Sequence, residues 1–249
     1  MKKKKIISVI AAVAVVASLA VGSLAWFTSK DNVTNKFSTI STEEPNNPDS
    51  GIKIHEDFDK ETAGNVLPGT NVKKLVQVKS TAKYDQLIRV KIDKVWRDSN
   101  NNIVDSYYTE KVDSKDAQGN AIKANKVTYY SSKDNSVNIP QGATTGKLDT
   151  NLIQLNFGNN LSGESGKWID NTKNDEYYYY NGKLQPTQET APILESVTLA
   201  KNSENIYKGL KFDVVVTAEG IQAVNGAAKD SWTKAPVTIQ NLGGELSEK

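Results

Sequence analysis

Residues Gln86 to Trp96 carry the clearest alternation of apolar and polar positions in the chain. In QLIRVKIDKVW, one parity holds Ile88, Val90 and Ile92 and the other holds Arg89, Lys91 and Asp93. Successive side chains of a strand point to opposite faces of the sheet, so this pattern predicts an antiparallel strand with one buried face.

The same period of two recurs on both sides of this strand. Val72, Val76 and Val78 share a parity in NVKKLVQVKS, as do Phe212, Val214 and Val216 near the C-terminal end. The stretches GIKIHEDF, DEYYYYNGKLQ and APILESVTL are also predicted strands. Ser80-Thr81 predicts a hairpin between the strands at 72–79 and 86–96, and Asn181-Gly182 predicts a hairpin-like turn. A helical period is hard to find beyond residue 26, so we predict an all-β, jelly-roll-like antiparallel sandwich with minor helix.

Residues 97–175 differ from their surroundings. They are rich in Asn, Asp, Ser, Lys and Gly, with apolar islands at 121–130, 152–157 and 168–169. We predict an elaborated insertion of short strands and loops with, at most, one helix, because a structureless stretch of this length is uncommon in a compact domain.

The N-terminus has the pattern of an export signal. Lys2 to Lys5 precede an apolar run from Ile6 to Val21, and Ser23-Leu24-Ala25 supplies the small residues of a cleavage site. Residues 1–25 are therefore predicted to be a signal peptide, cleaved between Ala25 and Trp26. The alternative is an uncleaved membrane anchor, because Ile6 to Phe27 is long enough to span a bilayer.

Charge and residue content exclude several kinds of function. Without residues 1–25 and their four lysines, 31 − 4 = 27 basic residues stand against 29 acidic ones, which gives no electrostatic reason to expect nucleic-acid binding. Cysteine is absent, so disulfides, thiolate metal sites and cysteine nucleophiles are excluded. The single histidine, His55, lacks the second histidine of an HExxH zinc site and the Gly-x-Ser-x-Gly motif of a hydrolase. We predict no catalytic residue, no metal site and no cofactor.

Two short runs carry alternative chemistry. His55-Glu56-Asp57 could hold a cation weakly, although solvated charges at a strand end are the simpler interpretation. Tyr177 to Tyr180 could form a sugar-stacking surface, in which alternation would put Tyr178 and Tyr180 on one face as a candidate exposed aromatic patch. The plainer alternative places one pair of tyrosines in the core and the other at the rim.

Several segments together resemble one protein family. SLAWFTSKDNVTNKF resembles the signal junction processed by the SipW-type (W-type) signal peptidase. GIKIHEDF and LPGTNVKKLVQVKSTAKYDQLIRVKI resemble the pattern of TasA-like and camelysin-like matrix proteins. DEYYYYNGKLQPTQETAPILESVTL and YKGLKFDVVVTAEGIQAVNGAAKDSW resemble the C-terminal signature of the BsaA branch of this family, the biofilm matrix proteins of clostridia. The resemblance covers residues 1–96 and 176–233.

The resemblance implies a jelly-roll subunit that a Gram-positive bacterium secretes to its surface and extracellular biofilm matrix. Other copies of the chain would be its main partners in a homopolymeric filament, together with accessory matrix subunits and the W-type signal peptidase. After processing, residues 26–40 would insert as a donor β-strand into the next subunit, and residues 41–249 would form the domain.

A donor strand needs apolar side chains at alternate positions. Phe27, Val33 and Phe37 share one parity and are the expected donor-strand anchors. Ser29, Asp31 and Asn35 interrupt that row, so main-chain hydrogen bonds would have to contribute much of the affinity. The alternative is that residues 26–40 pair with their own subunit.

Three further hypotheses stay open at this point. A Lys–Asn or Lys–Asp isopeptide bond could lock or link subunits in a chain without cysteine, although the sequence does not identify the residues. The chain could be a secreted or surface-anchored hydrolase, since some camelysin-like relatives carry a protease label. It could also be a monomeric glycan-binding module that uses the tyrosine run.

Overall fold

The computed structural model describes residues 28–37, 51–64, 66–115, 121–224 and 226–244. The strands, numbered in chain order, are β1 (Thr28–Phe37), β2 (Ile52–Phe58), β3 (Asn71–Ser80), β4 (Gln86–Arg97), β5 (Ile103–Val104), β6 (Ser106–Lys115), β7 (Ala121–Tyr130), β8 (Thr144–Lys147), β9 (Ile153–Asn156), β10 (Trp168–Asp170), β11 (Tyr178–Tyr180), β12 (Leu194–Leu199) and β13 (Lys211–Gln222). The helices are α1 (Lys60–Ala63), α2 (Thr172–Asp175), α3 (Ala227–Ser231) and α4 (Val237–Leu242), and 3-10 turns lie at Thr150–Leu152 and Asn205–Tyr207.

Two antiparallel sheets form a sandwich, which confirms the predicted fold class. The first sheet has the order β1-β13-β4-β11-β10, with β5 also paired to β4. The second has the order β2-β3-β12-β9. The inner faces of the two sheets share one core, in which Ile88, Val90 and Val214 of the first sheet meet Val72 and Val76 of the second. The alternation read from the sequence therefore identified the inner face of both long central strands.

The connection between β3 and β4 differs from the prediction. Ser80 to Gln86 is not a hairpin, because β3 pairs with β2 and β12 in the second sheet whereas β4 pairs with β13 in the first. The chain crosses between the sheets here, and the N–H groups of Thr81 and Ala82 both donate to the carbonyl of Gly51. A short polar connection looks the same in sequence whether its strands pair or cross the sandwich. Asn181-Gly182 is also not the turn of a hairpin. It is a bend that follows β11, and β11 pairs with β10 and β4.

Residues 97–175 contribute to three sheets. β9 joins the second sheet, β10 joins the first, and β6 pairs with β7 and β8 in a separate three-stranded sheet. The ring of Tyr107 lies directly over Gly146 of β8, where an added Cβ would come within 2.5 Å of the ring. The expected insertion is therefore partly built into the sandwich. Strands of three or four residues are too short to show this by alternation.

A second core covers part of the outer face of the first sheet. Leu87, Tyr179 and Ile221 pack there against Trp232 and Ile239, which belong to the C-terminal region containing α3 and α4. We call residues 226–244 the C-terminal cap. Helices of five and six residues are too short to give a clear helical period, which explains why the sequence did not reveal them.

Candidate functional site

The N-terminal strand occupies an edge of the first sheet. β1 pairs antiparallel with β13 along its whole length, from Thr28 opposite Ile221 to Phe37 opposite Phe212. It has no second strand neighbour within its sheet among the described residues. β2, at the corresponding edge of the second sheet, lies beside both β1 and β13. We call the space bounded by β13 and β2, which β1 occupies, the edge groove.

The register relates the predicted anchors to a buried row of β13. Val33 stands opposite Val216 and Phe37 opposite Phe212, and these two β13 side chains are 0% and 3% exposed. The parity expected for donor-strand anchors is thus the parity in register with the core row of β13. Phe27, Ala25 and Trp26 lie outside the described residues. The pairing shown here is within one chain, so insertion into a second copy stays a prediction.

β2, on the other side of the edge groove, carries one partner of a buried ion pair that the sequence analysis missed. Lys74 of β3 is 0% exposed, and its Nζ lies 2.9 Å from Oε1 of Glu56 on β2. The same Nζ lies 5.3 Å from the centre of the Phe58 ring. Burial lowers the pKa of Lys74, and the charge and hydrogen bond of Glu56 partly oppose that shift.

A sequence signal for this pair existed. Lys74 has the parity of Val72, Val76 and Val78, and Glu56 has the parity of Ile54, so both charges fall on apolar rows. Alternation separates the members of the His55-Glu56-Asp57 run: Glu56 points inward, whereas the side chains of His55 and Asp57 are each 57% exposed. No cluster of three potential metal ligands occurs among the described residues.

The outer face of the first sheet holds a second charged cluster, around Arg89 of β4. Two of its N–H groups donate to Oε2 of Glu219 on β13, at 2.9 and 2.6 Å. Its guanidinium lies 3.9 Å from the ring centre of Tyr177 and 4.7 Å from that of Trp232. The hydroxyl of Tyr177 donates to the other oxygen of Glu219, at 3.2 Å. This cluster ties the C-terminal cap to β4 and β13, the strand on which β1 lies.

The tyrosine run divides between the two cores. Tyr178 and Tyr180 are half-buried instead of forming the expected exposed patch: Tyr178 packs against Phe157, with ring centres 5.2 Å apart, and Tyr180 packs against Trp168 at 5.5 Å. Burial, with a smaller contribution from the charge of Asp170, raises the pKa of Tyr178 to about 12. Tyr179, on the opposite face, packs against Trp232 in the second core, with ring centres 5.7 Å apart, so both faces of the run meet packed side chains.

A cavity of about 560 Å³ opens beside Tyr178, at the side of the sandwich away from β1. Its lining includes Lys94, Leu155, Phe157 and Thr198. Nζ of Lys94 donates to the carbonyl of Ile153 at 3.1 Å, and burial lowers its pKa against the opposing charge of Asp149. The cavity therefore combines aromatic, amide and cationic groups.

Comparison with protein-family models, with curated proteins and with solved structures finds no match to this chain. In the part of the chain that the structure describes, no helix is long and apolar enough to cross a membrane.

Proposed function

We propose that this chain is a secreted structural subunit of extracellular biofilm matrix fibres, in which β1 of each copy is donated to the edge groove of the next. The observation that carries the proposal is the position of β1. It is the first strand among the described residues, it follows the predicted signal peptide, and it pairs along ten residues with a single strand, β13. A terminal edge strand can leave and be replaced without unthreading any other element.

The connection after β1 is long enough for exchange between copies. Thirteen residues, 38–50, separate β1 from Gly51, and such a segment reaches roughly 43–47 Å when extended. A donated strand contacts a different surface from the one that receives it, so the contact is heterologous and extends into an open filament. The same geometry explains how one strand can pair within its own chain before assembly.

The energetics favour a joint that depends on the main chain. Two apolar anchors, Val33 and Phe37, would contribute roughly 1.5–3 kcal/mol each, which the roughly 4–15 kcal/mol cost of association can consume. Ten register pairs offer on the order of ten ladder hydrogen bonds at about 0.5–1.5 kcal/mol each. The proposed joint therefore requires an extended, unbroken β1.

The test compares purified chains by sedimentation and negative-stain microscopy. A chain that begins at Trp26 should form filaments, and a chain that lacks Trp26 to Phe37 should not. Proline removes the N–H group at its position, and neighbouring N–H groups of an edge strand point alternately to β13 and to solvent. Val33→Pro and Thr34→Pro therefore control for each other: the variant that loses an N–H group pointing to β13 should assemble much more weakly than the one that loses an N–H group pointing to solvent.

Filaments from the shortened chain would place the joint elsewhere. If the chain from Trp26 stays monomeric, donation between copies is refuted for this chain alone, and a requirement for an accessory subunit becomes the next test. The proposal assigns the chain no catalytic residue, metal or cofactor, and no nucleic-acid partner.

The cavity beside Tyr178 favours a second candidate function, a glycan-binding module. Aromatic rings and amide side chains are the groups that stack on and hydrogen-bond to sugars, and the volume suits a small ligand. Tyr178→Ala should abolish binding on a glycan array, whereas Tyr180→Phe, which is not among the lining residues, should leave it unchanged. Binding that survives Tyr178→Ala would remove this candidate.

A further inference from the structure

The connection between β9 and β10 brings a lysine, an asparagine and a glutamate into contact. Nζ of Lys167 donates to Oδ1 of Asn160 at 2.9 Å, and Nδ2 of Asn160 donates to Oε1 of Glu195 on β12, also at 2.9 Å. Asn160 is 7% exposed, so its amide lies between a cation and a carboxylate and away from most water. The orientation of the amide follows from its neighbours, because an ammonium only donates and a carboxylate only accepts.

The backbone keeps the lysine and the asparagine facing each other. The N–H of Trp168, the residue after Lys167, donates to the carbonyl of Asn160 at 2.7 Å. The side chain of Trp168 is 0% exposed, and its Nε1 donates to the carbonyl of Ala191 at 2.8 Å. Both members of the pair are thus anchored to the core through a buried tryptophan.

Glu195 occupies space that a side chain at position 158 would fill. A Cβ added to Gly158 would lie 2.3 Å from Oε1 of Glu195, and the φ of this glycine, +55°, is in the left-handed region. The contact between Glu195 and Asn160 therefore depends on glycine at this position.

We propose that Lys167 and Asn160 join without an enzyme in an isopeptide bond, and that Glu195 transfers the proton. Nζ of Lys167, as the free amine, attacks Cγ of Asn160, which is only one bond of about 1.2 Å from the oxygen that Nζ already contacts. The Nζ–Cγ bond forms, the Cγ–Nδ2 bond breaks, and the amide nitrogen leaves as ammonia.

The protons balance without another reactant. The free amine loses one proton on becoming an amide N–H, and the departing NH₂ group gains one on leaving as ammonia. Glu195 lies at hydrogen-bond distance from the departing nitrogen, where a carboxyl group can deliver this proton. The proton that Lys167 releases to water on becoming a free amine is recovered when ammonia is protonated. Contact between the reacting groups supplies the driving advantage, because pre-positioned reactants reach effective concentrations of about 10⁵–10⁸ M.

The bond would close a ring at the edges of both sheets. Asn160 follows β9, an edge strand of the second sheet, and Lys167 directly precedes β10, an edge strand of the first. A cross-link lowers the conformational entropy of the unfolded chain, as a disulfide does, and this chain has no cysteine. The bond forms within one chain, so it does not depend on the proposed exchange of β1 between copies.

The test is a tryptic peptide map of the denatured wild-type chain, because trypsin does not cleave after a lysine whose Nζ is part of an amide. Cleavage after Lys147 and Lys173, but not after Lys167, should give one peptide of residues 148–173. This joined peptide should be lighter than its sequence by one ammonia. Its fragmentation should release no ions from breaks between Asn160 and Lys167, since that segment is a closed ring.

Three variants test the roles of the individual groups. Lys167→Arg removes the amine but keeps the cation and the tryptic site, so it should give separate peptides 148–167 and 168–173 at full mass. Glu195→Gln keeps the size of the side chain and should lower the joined fraction about tenfold or more. Glu164→Gln is the matched control, because Glu164 is an exposed residue of the same connection, and it should leave the joined fraction unchanged.

Separate peptides at full mass from the wild-type chain would overturn the proposal, and this result does not depend on whether any variant folds. Loss of ammonia with normal cleavage after Lys167 would also overturn it, because an asparagine would then have closed a ring on its own backbone. An unchanged joined fraction in Glu195→Gln would overturn the role of Glu195.

Discussion

Arg89→Met is the sharpest test of how the C-terminal cap is held on the sandwich. The substitution keeps an unbranched side chain of similar length on β4. It removes two N–H donors to Glu219, one at 3.3 Å to the hydroxyl of Tyr179, and the stacking on Tyr177 and Trp232. The side chains of Arg89 and Glu219 are 17% and 16% exposed, so water screens them only weakly.

The expected loss is roughly 3–5 kcal/mol in the free energy of unfolding, the range for removing one partner of a buried ion pair. Arg89→Lys keeps the charge but loses the planar stacking and one of the two donors to Glu219, so its cost should be intermediate. Lys91→Met is the matched control on the same face of β4, because its partner Glu176 has a side chain that is 73% exposed. An exposed pair contributes about 0–1 kcal/mol.

Urea unfolding measures the three stabilities, and hydrogen exchange locates the loss. In Arg89→Met the amides of α3 and α4 should lose protection first, while those of β3 and β12 in the second sheet keep theirs. The reasoning is refuted if Arg89→Met costs no more than Lys91→Met. It is also refuted if protection falls evenly over both sheets, because the cluster would then not be specific to the cap.

Three further predictions follow from other contacts. Burial raises the pKa of Tyr178 to about 12 in the folded state, whereas a tyrosine in the unfolded chain loses its proton near pH 10. The free energy of unfolding that this difference contributes is fully present below about pH 10 and is lost as the pH rises to about 12. Urea midpoints at pH 9 and 11 should therefore differ less in Tyr178→Phe than in the wild type. Gly146→Ala should cost roughly 1–3 kcal/mol, since its Cβ would collide with the ring of Tyr107, and Tyr107→Leu should relieve much of that cost in thermal unfolding. Lys74→Met should cost roughly 3–5 kcal/mol by urea unfolding, whereas the double change with Glu56→Leu should cost far less, because only the single change leaves a buried carboxylate without its lysine.

The isopeptide hypothesis has a second lysine to examine. Lys74 is fully buried, at 0% exposure. If it forms an amide with an Asn or Asp of the same chain, the intact mass of Lys167→Arg should still fall by one ammonia or one water. An unchanged mass would exclude that bond within the chain.

Much of the fold class could be predicted from the sequence because strand alternation is a local property. The parity of Ile88 and Val90 in β4, and of Val214 and Val216 in β13, identified the inner faces without knowledge of which strands pair. The parity of Val33 and Phe37 likewise agreed with the buried row of β13. Each of these features depends only on neighbours two residues apart.

Pairing and the roles of individual charges were decided by tertiary structure. The sequence placed β3 beside β4 because their connection is short, yet β4 lies between β13 and β11, and Arg89 meets Glu219 across 130 residues of chain. The alternation of β3 also places Lys74 on an apolar row, but only the tertiary structure shows that Glu56 on the neighbouring strand is its partner. The physical reason is that side-chain period depends on one strand's own geometry, whereas register and charge pairing depend on which distant strand supplies the partner.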